Sequence, residues 1–176
     1  MKRTIAIDLE TLSLAPNAVV IAIGAICIET GETFYANIDP EDSQKFGLHI
    51  DAGTVMWWMQ QSDEARNVLT TETSQTLATV LLAFTHWLKT NKFKYANREH
   101  TLWGYGVKAD IVWMNSLYKV AQLQQPWTYQ QEMCGRTLKQ ITGVNPDKSG
   151  VHHNALDDAK WLADVIVQSK VTDYDH

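Results

Sequence analysis

Apolar and β-branched residues dominate two segments near the start of the chain, residues 4–8 and residues 19–28. Runs of this length and composition predict β-strands. The polar segment 29–32, Glu-Thr-Gly-Glu, is typical of a turn, and a third strand is expected through Phe34, Tyr35 and Ile38. The chain is therefore expected to open as an antiparallel meander.

Further along, apolar residues recur every three or four positions, which predicts amphipathic helices. The first such helix has Thr73 or Ser74 as its expected cap. Its core-facing residues are Leu77, Leu81, Phe84 and Leu88.

A short strand at residues 101–103 and a second helix are expected next. The core-facing residues of that helix are Ile111, Met114, Leu117 and Val120 or Ala121. A last helix is predicted from about residue 154 to residue 168. Strands first, followed by helices that alternate with short strands, indicate an α/β fold in which a mixed sheet carries helices on its faces.

The composition fits one globular domain spanning residues 1–176, with 45% hydrophobic and 20% charged residues. The 15 basic and 20 acidic residues give a formal net charge of −5, unlike proteins that coat long duplexes by neutralising phosphates. Contact with the end of a strand stays compatible with this charge, because a few basic or aromatic groups in a cleft suffice.

The two cysteines, Cys27 and Cys134, form no CxxC pair, so reduced thiols and a cytoplasmic location are expected. The first apolar run ends at Asp8, too early for the core of a signal peptide. The longest uncharged apolar run covers residues 18–28, whereas a membrane span needs about 20 residues. No contact with a membrane is predicted.

Two carboxylates, Asp8 and Glu10, stand at the end of the first predicted strand. Alternate residues of a strand share a face, so both acids are expected on one side, opposite Ile5, Ile7 and Leu9. Carboxylates this close raise one another's pKa unless a cation or a proton neutralises them. A divalent metal site is one interpretation, and a solvated strand end is the commoner one for this pattern alone.

Asp110 follows the short strand and the turn formed by Gly104, Tyr105 and Gly106. A helix start favours an acidic residue, so a simple helix cap explains Asp110 as well as a functional site does. The flanking glycines favour a site, because they allow close approach of another group to the backbone.

Two adjacent histidines, His152 and His153, precede the last predicted helix after a turn-prone loop. His153 and Asp158 are expected to point into the same cleft, which would place a neutral imidazole beside a carboxylate. A capping Asn154 followed by an acidic first turn is the structural alternative, although it does not explain the paired histidines.

In this order, Asp8 and Glu10, then Asp110, then His153 and Asp158 within H-N-A-L-D-D-A, resemble the motifs of the DEDDh family of 3′-5′ exonucleases. Residues 54–66 are also similar to a stretch in bacteriophage exodeoxyribonucleases of the exonuclease A type. The Trp-Gly-Tyr-Gly sequence before Asp110 resembles a bacterial exoribonuclease branch, the RNase AS type. The two resemblances differ in the sugar of the strand that is cut.

The DEDDh resemblance implies an RNase H-like α/β fold, with a central five-stranded mixed sheet flanked by helices. It implies two Mg²⁺ or Mn²⁺ ions held by four acids: Asp8, Glu10, Asp110 and Asp158. In this arrangement Asp8 would bridge both ions, and Asp110 would act partly through water. Oxygen ligands suit these hard cations. His153 is implied as the base that takes a proton from the attacking water, with nucleoside 5′-monophosphates as products.

The same resemblance implies single-stranded nucleic-acid 3′ ends as the partner and, by analogy with relatives, a homodimer. Contacts with the terminal nucleotides are expected from Thr11, Leu12, Trp58 and Tyr105.

Each of these contacts has a structural alternative. Leu12 or Leu14 is a candidate wedge between bases, but a leucine after a strand more often belongs to the core. Only one of Trp57 and Trp58 can face the cleft, because successive helical residues are about 100° apart. Tyr105 has a structural role as its alternative.

Two further points qualify the substrate contacts. Arg136 suits either a phosphate contact or a surface ion pair. The segment after Glu10, Thr-Leu-Ser-Leu, lacks the common Thr-Gly pair of the family, so the backbone there is expected to meet the nucleotide differently.

Three functions stay open at this point. The first is an active exonuclease on single-stranded DNA or RNA, since sugar choice depends on contacts with the 2′-hydroxyl that a sequence does not reveal. The second is an inactive nucleic-acid-binding domain of the same fold, which has no need for four converging acids. The third is a phosphodiesterase limited to very short oligonucleotides, which the negative net charge suits.

Overall fold

The computed structural model describes residues 2–69 and 74–170. Five strands make up its sheet: β1 (Arg3–Thr11), β2 (Val20–Cys27), β3 (Thr33–Asn37), β4 (His100–Gly104) and β5 (Glu132–Cys134). The α-helices of the described residues are α1 (Pro40–Lys45), α2 (Ala52–Trp58), α3 (Asp63–Arg66), α4 (Leu77–Thr90), α5 (Asp110–Val120), α6 (Gly135–Thr142) and α7 (Ala155–Gln168).

The sheet is mixed and has the strand order β3-β2-β1-β4-β5. The first three strands pair antiparallel, which confirms the predicted meander. The other two pairings, β1 with β4 and β4 with β5, are parallel. The predicted five-stranded mixed sheet flanked by helices is therefore confirmed.

The two faces of β1 have different neighbours. Ile5, Ile7 and Leu9 belong to the large hydrophobic core, which also contains residues of α4 and α5. Ala6 lies on the opposite face, in a smaller core with Leu162 and other residues of α7. Asp8 and Glu10 have the same parity as Ala6, so strand geometry places them on the face that α7 covers.

Gly24 of β2 allows α7 to begin directly on the sheet. It pairs with Asp8 across the antiparallel ladder. A Cβ atom at this position would lie only 2.2 Å from the carbonyl carbon of Ala155, the first residue of α7. Because a glycine stands here, the backbone at the start of α7 packs against β2 beside the acids of β1.

The caps of two helices differ from the sequence-based predictions. Thr76 caps α4, with its hydroxyl accepting a hydrogen bond from the Thr79 amide, so the prediction of Ser74 was wrong by two residues. The alternative cap, Thr73, lies outside the described residues. Asp110 is not a helix cap, because the residue before α5 is Ala109 and the Asp110 carboxylate turns back toward the sheet.

Candidate active site

Glu10, His153 and Asp158 approach one another most closely among the predicted site residues. Each of them offers one ligand atom, and these three atoms all lie within 4.8 Å of one another. Glu10 is on β1, His153 lies in the loop before α7, and Asp158 is in the first turn of α7. The packing of α7 on β2 thus brings together groups that are more than 140 positions apart in the chain.

Asp8 and Asp110 complete a group of four acids. Burial raises the pKa of Asp8 well above its ordinary value, and the charges of Asp110, Glu10 and Asp158 raise it further. Burial also raises the pKa of Glu10 to about 8, with additional repulsion from Asp158 and Asp110. These buried carboxylates repel one another and require positive charge or protons to neutralise them.

The backbone of the sheet holds the Asp110 carboxylate in place. Its two oxygens accept hydrogen bonds from the Leu9 amide at 3.2 Å and from the Tyr105 amide at 2.6 Å. Burial raises the pKa of Asp110 to about 6, and these two hydrogen bonds oppose the rise. A Cβ atom on Gly104 would lie 2.9 Å from the Asp110 side chain, so the glycine before Tyr105 makes room for the acid.

Lys148 provides positive charge at the group of acids. Its Nζ lies 2.6 Å from Oδ1 of Asp158, whose side chain is 13% exposed, whereas that of Lys148 is 28% exposed. The charge of Lys148 lowers the pKa of Asp8 and of Glu10, against the stronger effects that raise them. The sequence alone does not indicate a role for Lys148, because the composition of its loop predicts only a turn.

His153 faces the acids and packs against aromatic rings. Its imidazole makes edge-to-face contacts with Trp57, at a centroid distance of 4.8 Å, and with Trp58, at 6.1 Å. Burial lowers the pKa of His153, and the nearby Asp158 carboxylate opposes this effect. His152 is exposed. Of the two histidines, His153 is therefore the one placed to exchange protons beside the acids.

An open cleft of about 450 Å³ adjoins Glu10. It lies between the end of β1 and α2, and it is more apolar than polar. The residues that line it are Leu9, Glu10, Thr11, Leu14, Asp51, Gly53, Thr54, Trp57, Trp58 and Trp113. A flat apolar group such as a nucleobase fits walls of this kind.

The two adjacent tryptophans differ in exposure. Trp58, the predicted base-contacting residue, is only 1% exposed, and its indole donates a hydrogen bond to the Thr11 carbonyl at 2.8 Å. Trp57 is 40% exposed. Both tryptophans line the cleft, but the helical rotation that separates neighbouring residues buries Trp58 against β1 and leaves Trp57 exposed.

The two leucines after Glu10 differ in the same way. Of the two candidate wedge residues, Leu12 is 7% exposed and belongs to the large core, whereas Leu14 is 78% exposed at the cleft. Thr11 lines the cleft, although its hydroxyl donates a hydrogen bond to the Ser13 carbonyl within the turn. Leu14 is therefore the candidate exposed to the cleft, and Leu12 has the core position that was its structural alternative.

Residues 3–169 match the family model of the 3′-5′ exoribonuclease Rv2179c-like domain. The chain belongs to this family. Family membership makes the protein a 3′-5′ exonuclease, and the predicted relationship to DEDDh nucleases is confirmed. None of the curated proteins compared with the chain matches it.

Two solved structures resemble this exonuclease domain in fold. The nuclease domain of 3′hExo, a DEDDh family member bound to rAMP, has a TM-score of 0.59 at 16% sequence identity, and the match covers 97% of this chain and 94% of that one. The cell-death related nuclease CRN-4 has a TM-score of 0.54 at 15% identity, covering 96% of this chain and 63% of that one. The fold is thus that of the DEDDh nucleases, and special closeness to bacteriophage enzymes stays a prediction.

The residues of this exonuclease domain fit a divalent metal ion. Four carboxylates converge, and burial and mutual repulsion raise the pKa of Asp8, Glu10 and Asp110. A cation among them would offset that repulsion, and carboxylate oxygens are the ligands that hard divalent cations prefer.

Tyr105 lies away from the cleft. Its ring packs edge-to-face on Trp161 of α7 at a centroid distance of 5.2 Å, and the Arg136 guanidinium lies 5.2 Å from its centre. Tyr105, which was predicted to contact the terminal nucleotide, therefore lies apart from the wall of the cleft that Trp57 forms.

In the described parts of the chain, no helix is long and apolar enough to cross a lipid bilayer.

Proposed function

We propose that this protein is a metal-dependent exonuclease that removes nucleoside 5′-monophosphates one at a time from the 3′ end of single-stranded RNA. The observation that carries the proposal is the convergence of four acids and His153 beside an aromatic cleft that Glu10 lines. The matched exoribonuclease family supports RNA as the substrate.

We infer that Asp8, Glu10, Asp110 and Asp158 hold two Mg²⁺ or Mn²⁺ ions. Bound there, the ions would supply Lewis-acid activation of water and stabilise the charge that develops on phosphate. The backbone amides of Leu9 and Tyr105 orient Asp110 for this task. Ser and Cys nucleophiles are not needed, because water attacks the phosphate directly.

His153 acts as the general base. It accepts a proton from the water whose oxygen forms the new bond to phosphorus. The bond between phosphorus and the 3′ oxygen of the preceding nucleotide breaks in the same displacement. This releases a nucleoside 5′-monophosphate, and the 3′ oxygen left on the strand takes up a proton from solvent water to become a new 3′ hydroxyl. A lowered pKa keeps the imidazole neutral near pH 7, which is the form that accepts protons.

The cleft receives the terminal nucleotide. Trp57 stacks on the terminal base, and the exposed side chain of Leu14 contacts it from another wall. Trp58 and Leu12 support these two residues from the core. Trp57 also packs on His153, so a bound base and the general base share one aromatic side chain.

Cleavage assays test the proposal directly. Single-stranded RNA and DNA of the same sequence, labelled at the 5′ or the 3′ end, are incubated with Mg²⁺ or Mn²⁺, with EDTA and Asp8→Ala as controls. Stepwise loss from the 3′ end of RNA, absent in both controls, is the expected result. Binding without cleavage by the wild-type protein would instead support an inactive binding domain.

Two other outcomes would change the proposal. Cleavage of dinucleotides but not of longer strands would support a phosphodiesterase limited to short oligonucleotides, and preferential cleavage of DNA would overturn the RNA assignment.

Three of the sequence-based expectations stay predictions: the homodimer, the single domain and the cytoplasmic location.

A further inference from the structure

Three cations and two aromatic rings form a surface on the α6 side of the acids. Arg136 lies 5.2 Å from the centre of the Tyr105 ring, and Lys139 lies 5.1 Å from the centre of the Trp161 ring. Lys148 approaches the same Trp161 ring at 6.0 Å. These five residues are called the basic surface below.

The aromatic rings position the cations of the basic surface. Tyr105 and Trp161 pack edge-to-face on each other, and attraction between a cation and an aromatic ring restrains a long side chain that would otherwise move freely. The Trp161 indole donates a hydrogen bond to the Pro146 carbonyl at 3.0 Å, which anchors the loop that carries Lys148. The cations are therefore held in a fixed arrangement.

Two of these cations, Arg136 and Lys139, form no salt bridge within residues 2–69 and 74–170, although the charge of Arg136 lowers the pKa of Asp110. Arg136 is exposed, and Lys139 is partly exposed. In a protein with a net charge of −5, unpaired positive charge gathered at one place is suited to an anionic ligand.

The basic surface is connected to the acids at two points. The Tyr105 amide donates a hydrogen bond to Asp110 at 2.6 Å, and Lys148 lies 2.6 Å from Asp158. The aromatic cleft adjoins Glu10 and the end of β1 instead. The acids therefore lie between an aromatic cleft and a basic surface.

We propose that the basic surface binds the phosphates of the RNA strand on the 5′ side of the bond being cut. Because this inference rests on the proposed function, it assumes that the terminal nucleotide occupies the cleft and that the scissile phosphate lies at the acids. The remaining strand then leaves the acids across Tyr105 and Trp161. Arg136 and Lys139 bind its backbone phosphates without reading the bases, which suits a strand of any sequence.

The test compares two double variants with equal loss of charge. Arg136→Ala/Lys139→Ala removes two cations of the basic surface. The control Lys89→Ala/Lys119→Ala removes exposed lysines from the last turns of α4 and α5, which pack on the opposite face of the sheet. Fluorescence anisotropy measures binding of a trinucleotide and of an RNA of about 12 nucleotides at several salt concentrations. Each double variant also carries His153→Asn, which slows cleavage while the four acids are retained.

We expect Arg136→Ala/Lys139→Ala to weaken binding of the longer RNA about tenfold at low salt, and to affect the trinucleotide less. The slope of log Kd against log salt concentration should fall by about 1.4, since each phosphate contact on a single strand contributes about 0.7. The control pair should show neither change. Thermal unfolding of every variant shows whether the fold is intact.

The two proposals fail in different ways. If the wild-type enzyme shortens RNA but Arg136→Ala/Lys139→Ala binds the longer strand as tightly as the control pair, the basic surface is overturned and the exonuclease stands. If the wild-type protein cleaves nothing, the proposed function fails, whatever the binding data show. The charge reversal Lys139→Glu should weaken binding of the longer RNA further than Lys139→Ala, and equal affinities would also contradict the basic surface.

Discussion

The ammonium group of Lys148 lies 2.6 Å from the Asp158 carboxylate, within the group of acids proposed to bind metal. The charge of Lys148 therefore offsets part of the repulsion among the four carboxylates. The loop that carries Lys148 also ends in His153, so the same segment provides both a counter-charge and a base.

Replacement of Lys148 by methionine should change the response to metal. With less positive charge among the acids, the Tm in EDTA should fall by about 2–4 °C, equivalent to about 1 kcal/mol for a chain of this size. A smaller Mg²⁺ concentration should then give half of the metal-induced rise in Tm, because the ion no longer competes with Lys148 for Asp158.

Lys160→Met is the matched control for Lys148→Met, since Lys160 pairs with Asp157 on the same helix at 3.4 Å and is more exposed. Thermal scans across a Mg²⁺ titration compare the two variants. An identical Mg²⁺ response in both would contradict the role of Lys148.

The acids should make the metal-free protein less stable as the pH rises. The pKa of Glu10 is raised from 4.5 to about 8 in the folded protein, so the folded state holds its proton more tightly than the unfolded state does. Stability from this group is present below about pH 4.5 and is lost as the pH rises toward 8. Glu10→Gln should therefore have a higher Tm than the wild type in EDTA at pH 8, with the difference shrinking toward pH 5.

The control for Glu10→Gln is Glu64→Gln, an exposed residue of α3. Thermal scans in EDTA between about pH 5 and pH 8.5 provide the measurement. Parallel Tm curves for Glu10→Gln and the wild type would show that Glu10 does not carry this effect.

His153→Asn should lower turnover by about 10²–10⁴ and leave the rise in Tm on Mg²⁺ addition in place. Asparagine is chosen because the backbone φ of His153 is 63°, a conformation that asparagine tolerates better than most residues. His152→Asn, in the adjacent exposed residue, is the control. Equal rates for His153→Asn and the wild type would reject the assignment of His153 as the base.

The pH profile of the wild-type enzyme tests the same residue. Burial lowers the pKa of His153 below 6.5, so the neutral imidazole persists at pH 6.5. Activity should therefore hold at this pH and fall only under more acidic conditions. Initial rates at saturating Mg²⁺ measure the profile, and loss of half the activity above pH 7 would contradict the predicted direction.

Trp57→Ala should raise KM by roughly 5- to 160-fold, since stacking of one base on an aromatic side chain is worth about 1–3 kcal/mol. It should also lower kcat, because the His153 ring loses its contact with Trp57. Met56→Ala on the same helix, where the side chain is exposed, is the control. Steady-state kinetics on short RNA separate the two effects, and unchanged KM would exclude Trp57 from substrate binding.

Gly24→Ala should disrupt the start of α7. The added methyl group would lie 2.2 Å from backbone atoms of Ala155, so the helix must move away from β2. We expect a loss of at least about 1–3 kcal/mol in the free energy of unfolding, together with lower activity, because Asp158 and His153 would move with the helix.

Gly135→Ala provides the comparison for Gly24→Ala. Its added Cβ would first meet Cδ1 of Leu162, the end of a side chain that is able to shift. Urea unfolding and RNA cleavage assays measure both variants. A smaller loss of activity for Gly24→Ala than for Gly135→Ala would argue against this account of the helix position.

Hydrophobic periodicity by itself determined the meander, the main helices and the faces of β1. Alternation along the first strand correctly separated Ile5, Ile7 and Leu9 from the side chains on the α7 face. The spacing of acids and histidine identified the DEDDh family, which the family match confirms. These features depend on local backbone geometry and on the order of residues along the chain, and both are present in the sequence.

Only the tertiary structure decided which of the two adjacent tryptophans is exposed at the cleft, and that Lys148 lies beside the acids. Trp58 is buried because its indole reaches the Thr11 carbonyl, 47 residues away in the chain, and this leaves Trp57 exposed. Lys148 enters the group of acids because the loop before α7 folds back onto Asp158. Such choices depend on contacts between distant segments, and periodicity within a single helix or loop does not encode them.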